Sequence, residues 1–261
     1  MQSTISISKV SIITPLYNSE RYIAQTIASV KSQTYPNWEM LIVDDCSADK
    51  GYQIATGFSK KDERIKLFKL TQNSGAGFAR NKGIENADGD FIAFLDSDDI
   101  WHPDKLSKQI NYMLRTGANI CFSSYGLMDE KGNSLNKKVQ SLSKLGFNKL
   151  LKSNYIGNLT AIYRVSEIGK IYAPEIRKRQ DWALWLGILK KGHVAYGMNE
   201  VLADYRVRKN SLSSNKLQML KHNFYIYKDY LGYSYPKSAV LMLRFLWEHF
   251  FIKPKQIKSL D

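Results

Sequence analysis

Three aspartates stand within four positions in the stretch AFLDSDDIW, where Asp96, Asp98 and Asp99 follow directly on an apolar run. Acids so close together repel one another, and an Asp-rich turn capping a helix near Pro103 is the plain structural reading. The chemical reading is a hard divalent cation. Alternate side chains at the end of a strand point to one side, so Asp96 and Asp98 can converge on Mg²⁺ or Mn²⁺. Those ions prefer carboxylate oxygen and typically combine a few carboxylates with substrate phosphates. A cation held there would neutralise a leaving diphosphate as its charge develops, which fits a nucleotide-diphosphate donor. A second acidic pair, Asp44 and Asp45 of VDDCS, also ends an apolar run. A carboxylate at that place can accept a hydrogen bond from a nucleobase N–H or a ribose hydroxyl, while one of the two is expected to cap the helix that follows the strand.

The stretch SGAGFARNKG begins like a dinucleotide fingerprint, but Arg80 stands where the third glycine belongs. It also comes after the third expected strand and not the first, so a dinucleotide site is rejected. Arg80 is read as a cation facing the acids or a phosphate, with a surface helix position as the alternative. The four histidines are scattered without an HExxH pair, which argues against zinc. Cys46 and Cys121 show no metal spacing and are read as buried thiols of a reducing cytosol.

These residues need a frame to position them. KVSIITPLY, WEMLIVDD, RIKLFKL and DFIAFLD read as buried strands. The segments between them read as helices, the first with Ile23, Ile27 and Val30 at helical spacing and Asn18 or Ser19 as its cap. Strand and helix in alternation predict an α/β fold whose parallel sheet is covered on both faces. Ligands of such sheets bind outside the carboxyl ends of the strands, which is where the acids lie. Further on, DKLSKQINYML predicts a helix and NICFSSYGLM a strand. Asp129 to Asn148 predicts an exposed hairpin or loop, IGNLTAIYR a strand, QDWALWLGILKKG a helix and HVAYGMNEVLADYRV a strand. From about Lys216 the chain reads as helical and aromatic.

With 44% hydrophobic residues in 261, the chain can bury a proper core. No apolar run approaches the roughly 20 residues that span a bilayer, and MQSTISISKVSIIT lacks the pattern of a secretory leader, so a cytoplasmic location is expected. The net charge is +14, and from Tyr205 onward 11 Lys/Arg stand against 3 Asp/Glu, a net of +8. Such an excess suggests an anionic partner. The tail SAVLMLRFLWEHFFIKPKQIK suits either a helix packed on the rest of the protein or a surface resting on anionic lipid. The sequon at Asn158 is read as incidental, and Trp182 and Trp185 as core at helical spacing.

The ordered set SIITPLYNSERYI, LIVDDCS, SGAGFARNKGI, GDFIAFLDSDDIWHPDKL and RKRQDWALWL resembles glycosyltransferase family 2, over about Val10 to Ser213. The finer likeness is to bacterial enzymes of cell-wall and capsular polysaccharide assembly, of the teichuronic acid type. The resemblance implies a GT-A fold, with a mostly parallel central sheet flanked by helices and a C-terminal helical extension. It divides the chain into a catalytic domain over 1–215, with a nucleotide half to about 115 and an acceptor half to 215, and a basic, aromatic extension over 216–261. Carried over position by position, Pro15, Tyr17, Asn18 and Glu20 surround the nucleotide, with Tyr17 stacking on the base. Asp45 reads the base, and Arg80 belongs to the family's ARNxGI motif. Asp96, Ser97 and Asp98 form the DxD metal motif. Asp181 serves as catalytic base, with Gln180 where a glutamate is common. Tyr205 and Arg206 resemble a loop that closes over the diphosphate.

The activity implied by that resemblance is inverting, metal-dependent transfer from a UDP-sugar, with Mn²⁺ or Mg²⁺, to a hydroxyl of a glycan or lipid-linked acceptor at the inner face of a membrane. With one base candidate and no matched nucleophile pair, no covalent intermediate is expected. A sugar nucleotidyltransferase would carry a glycine-rich, Arg-containing loop after its first strand, and TPLYNSE has none. A nucleic-acid binder would use the basic tail, but no such module appears and an acid-lined crevice repels phosphate backbone. No nucleic acid is expected as a partner.

Overall fold

The computed structural model describes residues 8–208 and 216–260. The chain begins with β1 (Val10–Leu16), α1 (Ile23–Lys31), β2 (Trp38–Asp44), α2 (Gly51–Ser59), β3 (Ile65–Lys69), α3 (Ala76–Glu85) and β4 (Phe91–Phe94). It continues through β5 (Ile100–Trp101), α4 (Lys105–Thr116), β6 (Ile120–Met128), β7 (Ser134–Val139), β8 (Lys144–Leu145) and α5 (Phe147–Leu150). Then come β9 (Ile162–Arg164), α6 (Val165–Ile168), α7 (Gln180–Lys190), β10 (Ala195–Arg206), α8 (Lys216–Tyr225), α9 (Tyr235–Trp247) and β11 (Ile257–Ser259).

All strands join one mixed sheet whose main path runs β11-β7-β6-β9-β4-β1-β2-β3, with β10 pairing β5, β6 and β8. The first four strands are mutually parallel. β9 enters antiparallel between β4 and β6, and β10 returns parallel to β6. The expected α/β fold with a mostly parallel sheet is what the chain adopts.

Burial on both faces explains why β1 and β2 are largely apolar. Every residue of β1 and β2 is buried. Val10, Ile12 and Leu16 with Met40 and Ile42 enter a cluster on one face, under Ile23, Ile27 and Val30 of α1. Ile13 and Leu41 enter a second cluster on the other face with Trp182 and Trp185 of α7. α3 lies close on the sheet because it carries Gly83, where a Cβ would stand 2.7 Å from Ile13 Cγ2.

α7 is buried nearly all round. Sheet residues Phe94 and Tyr163 meet Trp185 edge-on, while Tyr227 and Phe245 from the C-terminal segment cover Trp182. Both tryptophans are core, as their spacing predicts. The C-terminal segment is therefore packed through Leu241 and Phe245, and β11 adds to the sheet edge on β7. The other side of that segment is exposed, with Leu243, Trp247, Phe250 and Phe251 all more than half accessible. The packed reading of the tail therefore holds for its buried side.

Three local expectations are corrected. α1 begins at Ile23 with Tyr22 in the cap position and no side-chain cap; the backbone N–H groups of Tyr22 and Ile23 donate instead to Ser19 O. Asn18 takes a left-handed conformation and serves another loop. IGNLTAIYR is a strand only over Ile162–Arg164, after a 3₁₀ turn at Asn158–Thr160. Cys46 lies past the end of β2 at φ 58, half-buried, its thiol on Leu70 O, because the chain turns sharply after Asp45. Only Cys121 is fully buried, and burial pushes its thiol up to about 12.

Candidate active site

The carboxyl ends of β1, β2, β3 and β4 lie along one edge, with Leu16 beside Asp44 and Asp44 beside Lys69 in register. The loops leaving that edge border a crevice of about 600 Å³. Pro15, Tyr17, Asn18, Asp45, Arg80, Asp96, Ser97, Asp98 and Asp181 all line it. Residues as far apart in sequence as Pro15 and Asp181 thus face one space. Glu20 and Arg206 do not line it.

The acidic loop comes after β4, which ends at Phe94, so Asp96 and Asp98 sit in a turn closed by Asp99 N–H on Asp96 O at 3.1 Å. Their convergence comes from that turn and not from strand alternation. Each acid has a cation. Arg80, buried on α3, donates to Asp96 Oδ1 at 2.6 Å, and Arg208 lies 2.9 Å from Asp98 Oδ2. Arg80 is thus no surface residue. Burial raises the Asp98 carboxyl and the neighbouring Asp96 adds to it, while Arg208 opposes. Asp99 is fully enclosed: it accepts the backbone N–H of Arg206 at 2.9 Å, and burial with Asp98 and Asp96 beside it raises its carboxyl well above the ordinary range. Ser97 hydroxyl donates to Ser19 Oγ at 2.9 Å, tying the acidic loop to the loop after β1.

The donor set decides the fit to a divalent cation. Among the described residues no group of three or more His, Cys, Asp or Glu is gathered that could hold an ion. Asp96 and Asp98 each engage one carboxylate oxygen with an arginine, which leaves the other for a cation. The residues suit an ion that takes two protein carboxylates and draws its remaining oxygens from diphosphate and water, the habit of Mg²⁺.

Asp44 accepts the Ser47 N–H in the turn after β2 and does not cap α2, whose cap position is Lys50. Asp45 accepts Ser74 N–H at 2.7 Å, Gly75 N–H at 2.8 Å and Asn73 Nδ2 at 3.2 Å. Its carboxylate has about four acceptor positions, so it chiefly shapes the loop before α3 and keeps one position for a ligand. Asn18 and Glu20 clamp two loops together: Asn18 Oδ1 accepts Ala48 N–H, and Glu20 Oε2 accepts Lys50 N–H at the start of α2. Glu20 is accordingly corrected to a loop clamp. Tyr17 is half-exposed over the crevice.

Asp181 stands in the first turn of α7 and caps nothing; the cap position is Arg179, at φ 65. Its Oδ2 accepts Asn154 Nδ2 at 2.8 Å. Gln180 packs against α3, which approaches because Gly77 offers no Cβ; an added one would lie 3.2 Å from Gln180 Cγ. Tyr125 and Tyr205 form a wall, their ring centroids 6.2 Å apart. Burial first, then Asp99 and Asp181, push the Tyr125 hydroxyl up to about 12.

Arg206 is corrected. Its guanidinium is buried, donating to Asp98 O at 2.7 Å, Glu130 O at 3.1 Å and Gln25 Oε1 at 2.9 Å, and it stacks over Tyr22. It braces the acidic loop from behind, and of these two arginines it is Arg208, two residues on, that lines the crevice. Lys209 to Ser213 of the same segment lie outside the described residues. Sequence reasoning also missed Asn154, Arg179 and Lys253, which line the crevice from distant segments.

The family model "Glycosyl transferase family 2" matches residues 11–166. A teichuronic acid biosynthesis glycosyltransferase of Bacillus subtilis, TuaG, is 47% identical over 220 residues, 84% of this chain and 87% of that protein. The Escherichia coli UDP-Glc:alpha-D-GlcNAc-diphosphoundecaprenol beta-1,3-glucosyltransferase WfgD is 40% identical over 85% of this chain and 86% of its own length. Among solved structures, S. aureus TarS 1-349 in complex with UDP-GlcNAc superposes with TM-score 0.70 at 21% identity, over 94% of this chain and 73% of that one. The mannosyltransferase PcManGT of Pyrobaculum calidifontis, in complex with GDP-Man and Mn²⁺, gives 0.67 at 16% identity, over 97% and 72%. These distant likenesses establish the GT-A fold, and the close sequence matches establish the family. The chain belongs to glycosyltransferase family 2.

Proposed function

We propose that this glycosyltransferase moves a sugar from a UDP-sugar to a hydroxyl of a glycan or lipid-linked acceptor, with inversion, in cell-surface polysaccharide synthesis. One observation carries the reading: the paired acids after β4 and the carboxylate of Asp181 face the same crevice. Tyr17 stacks on the base, Asp45 offers its remaining acceptor position to it, and Asp96 and Asp98 would hold Mn²⁺ or Mg²⁺. When bound, that cation neutralises charge on the departing diphosphate.

Asp181 takes the proton of the acceptor hydroxyl. Asn154 fixes its Oδ2, which aims Oδ1 at the acceptor. The acceptor oxygen bonds to the anomeric carbon as the bond from that carbon to the diphosphate breaks, on the opposite face of the sugar. Configuration therefore inverts in one displacement. Arg80, which feels Asp96, Asp181 and Asp98, holds positive charge between the two acidic groups. The nucleotide half, to about residue 115, holds the donor, and the acceptor half, 116–215, brings Asn154 and Asp181.

The segment from 216 onward serves as a peripheral membrane contact at the cytoplasmic face. Leu243, Trp247, Phe250 and Phe251 are exposed with Lys and Arg beside them in sequence, the make-up of a surface on anionic lipid. Among the described residues no helix is long and apolar enough to cross a membrane. The reading is tested by thermal shift. UDP with Mn²⁺ should raise Tm, while ATP, NAD and an oligonucleotide should not; stabilisation by the oligonucleotide instead would overturn it.

A further inference from the structure

Six cations line the crevice, and four of them contrast in their partners. Arg80 and Arg208 are each matched to an aspartate, Asp96 and Asp98. Arg179 and Lys253 line it too, and among the described residues neither forms an ion pair. Arg179, in the left-handed conformation before α7, has a buried Nε without a hydrogen-bond partner. Lys253 Nζ donates to the backbone oxygen of Asn154 at 2.5 Å and to no carboxylate. Burial pulls Lys253 down to about 8, the nearby Arg179 pulls it further, and Asp181 opposes both. Burial likewise lowers Arg179. Two like charges withdrawn from water beside each other cost free energy that an oxyanion between them would recover.

We propose that Arg179 and Lys253 form an anion subsite beside Asp181, for a phosphate or diphosphate group carried by the acceptor. The inference rests on the glycosyl-transfer reading and deepens it. Location favours the acceptor over the donor. Lys253 lies beyond the residues that match the family model and reaches the crevice next to Asn154, the residue that orients the base. It also comes shortly after Trp247, Phe250 and Phe251 in one short segment, so a phosphate held by Lys253 sits close to the proposed lipid surface. Gripping that phosphate would leave the attached sugar hydroxyl beside Asp181.

The test titrates inorganic pyrophosphate into the full chain already saturated with UDP. The wild type should bind it alongside UDP. Lys253→Gln and Arg179→Gln should each weaken pyrophosphate about tenfold or more, the scale of a charge-assisted hydrogen bond, with UDP affinity within about twofold. Lys253→Arg should restore most of the binding, which separates charge from packing. Geranyl diphosphate binding more tightly than pyrophosphate would assign the group to a lipid; equal binding would assign it to a soluble glycan phosphate. Loss of UDP affinity in step with pyrophosphate would give the pair to the donor and overturn the proposal, as would unchanged pyrophosphate binding in both variants. A wild type that binds pyrophosphate but not UDP would instead remove the glycosyl-transfer reading.

Discussion

At the scale of residues, the arginines define what can be separated by experiment. Arg206 and Arg208 lie two positions apart, yet one is enclosed behind the acidic loop and the other faces the crevice. Arg206→Gln should therefore cost about 2–3 kcal/mol of stability, the scale of lost hydrogen bonds to a charged group, read as a lowered urea midpoint. Arg208→Gln should leave that midpoint almost unchanged and raise the KM for donor several-fold. Equal loss of stability in both would contradict the assignment. Chelator should abolish transfer, and Mn²⁺ or Mg²⁺ should restore it; full turnover in excess chelator would remove Asp96 and Asp98 as metal ligands. The acids were legible because carboxylates directly after an apolar strand have few structural uses. Arg206 was misread for a physical reason: β10 shifts register twice against β6, between Met198 and Val201 and again before Asp204. Each irregularity resets which side chains face which side, and sequence alternation cannot track it. Glu20 was misread because its partner, Lys50 N–H, comes from the loop between β2 and α2.

At the scale of elements, alternation gave the parallel strands within a residue or two and helical spacing gave the helices between them, though α1 starts only at Ile23. Where the chain leaves those periods, as at Asn158–Thr160, the pattern had nothing to report. Helix α4 carries a test of its own packing. Lys105 is fully buried against Trp101, its Nζ 3.9 Å from the ring centroid and 2.7 Å from Gln109 Oε1. Burial lowers it from 10.5 to about 7. Between those values the unfolded chain binds a proton that the folded chain has released. Stability should therefore rise with pH across that window, by up to about 1.4 kcal/mol per pH unit from this group. Lys105→Met should flatten the rise, and an unaltered slope in urea melts from about pH 7 to 10 would contradict it.

At the scale of the whole molecule, the C-terminal segment links core, surface and crevice. Phe245 packs on Trp182, Trp247 is exposed, and Lys253 reaches the site. None of these long-range contacts could be read from the tail sequence, which showed only an amphipathic, basic pattern. The consequence is that truncation would confuse the roles and point substitutions can part them. Phe245→Ala should cost about 3–5 kcal/mol. Trp247→Ser with Phe251→Ser should leave folding and UDP binding intact while releasing the enzyme from anionic vesicles in a flotation assay. Retention on the vesicles would contradict the membrane contact.

The central claim is that Asp181 accepts the proton of the attacking hydroxyl in the crevice that holds the donor. Asp181→Asn keeps the side chain's size and its place beside Asn154 but cannot accept that proton. Steady-state turnover at saturating donor and metal tests it most directly. The variant's kcat should fall by about 10²–10⁴-fold, with UDP and Mn²⁺ affinity within a few fold of the wild type. Near-normal kcat in the folded variant would contradict it.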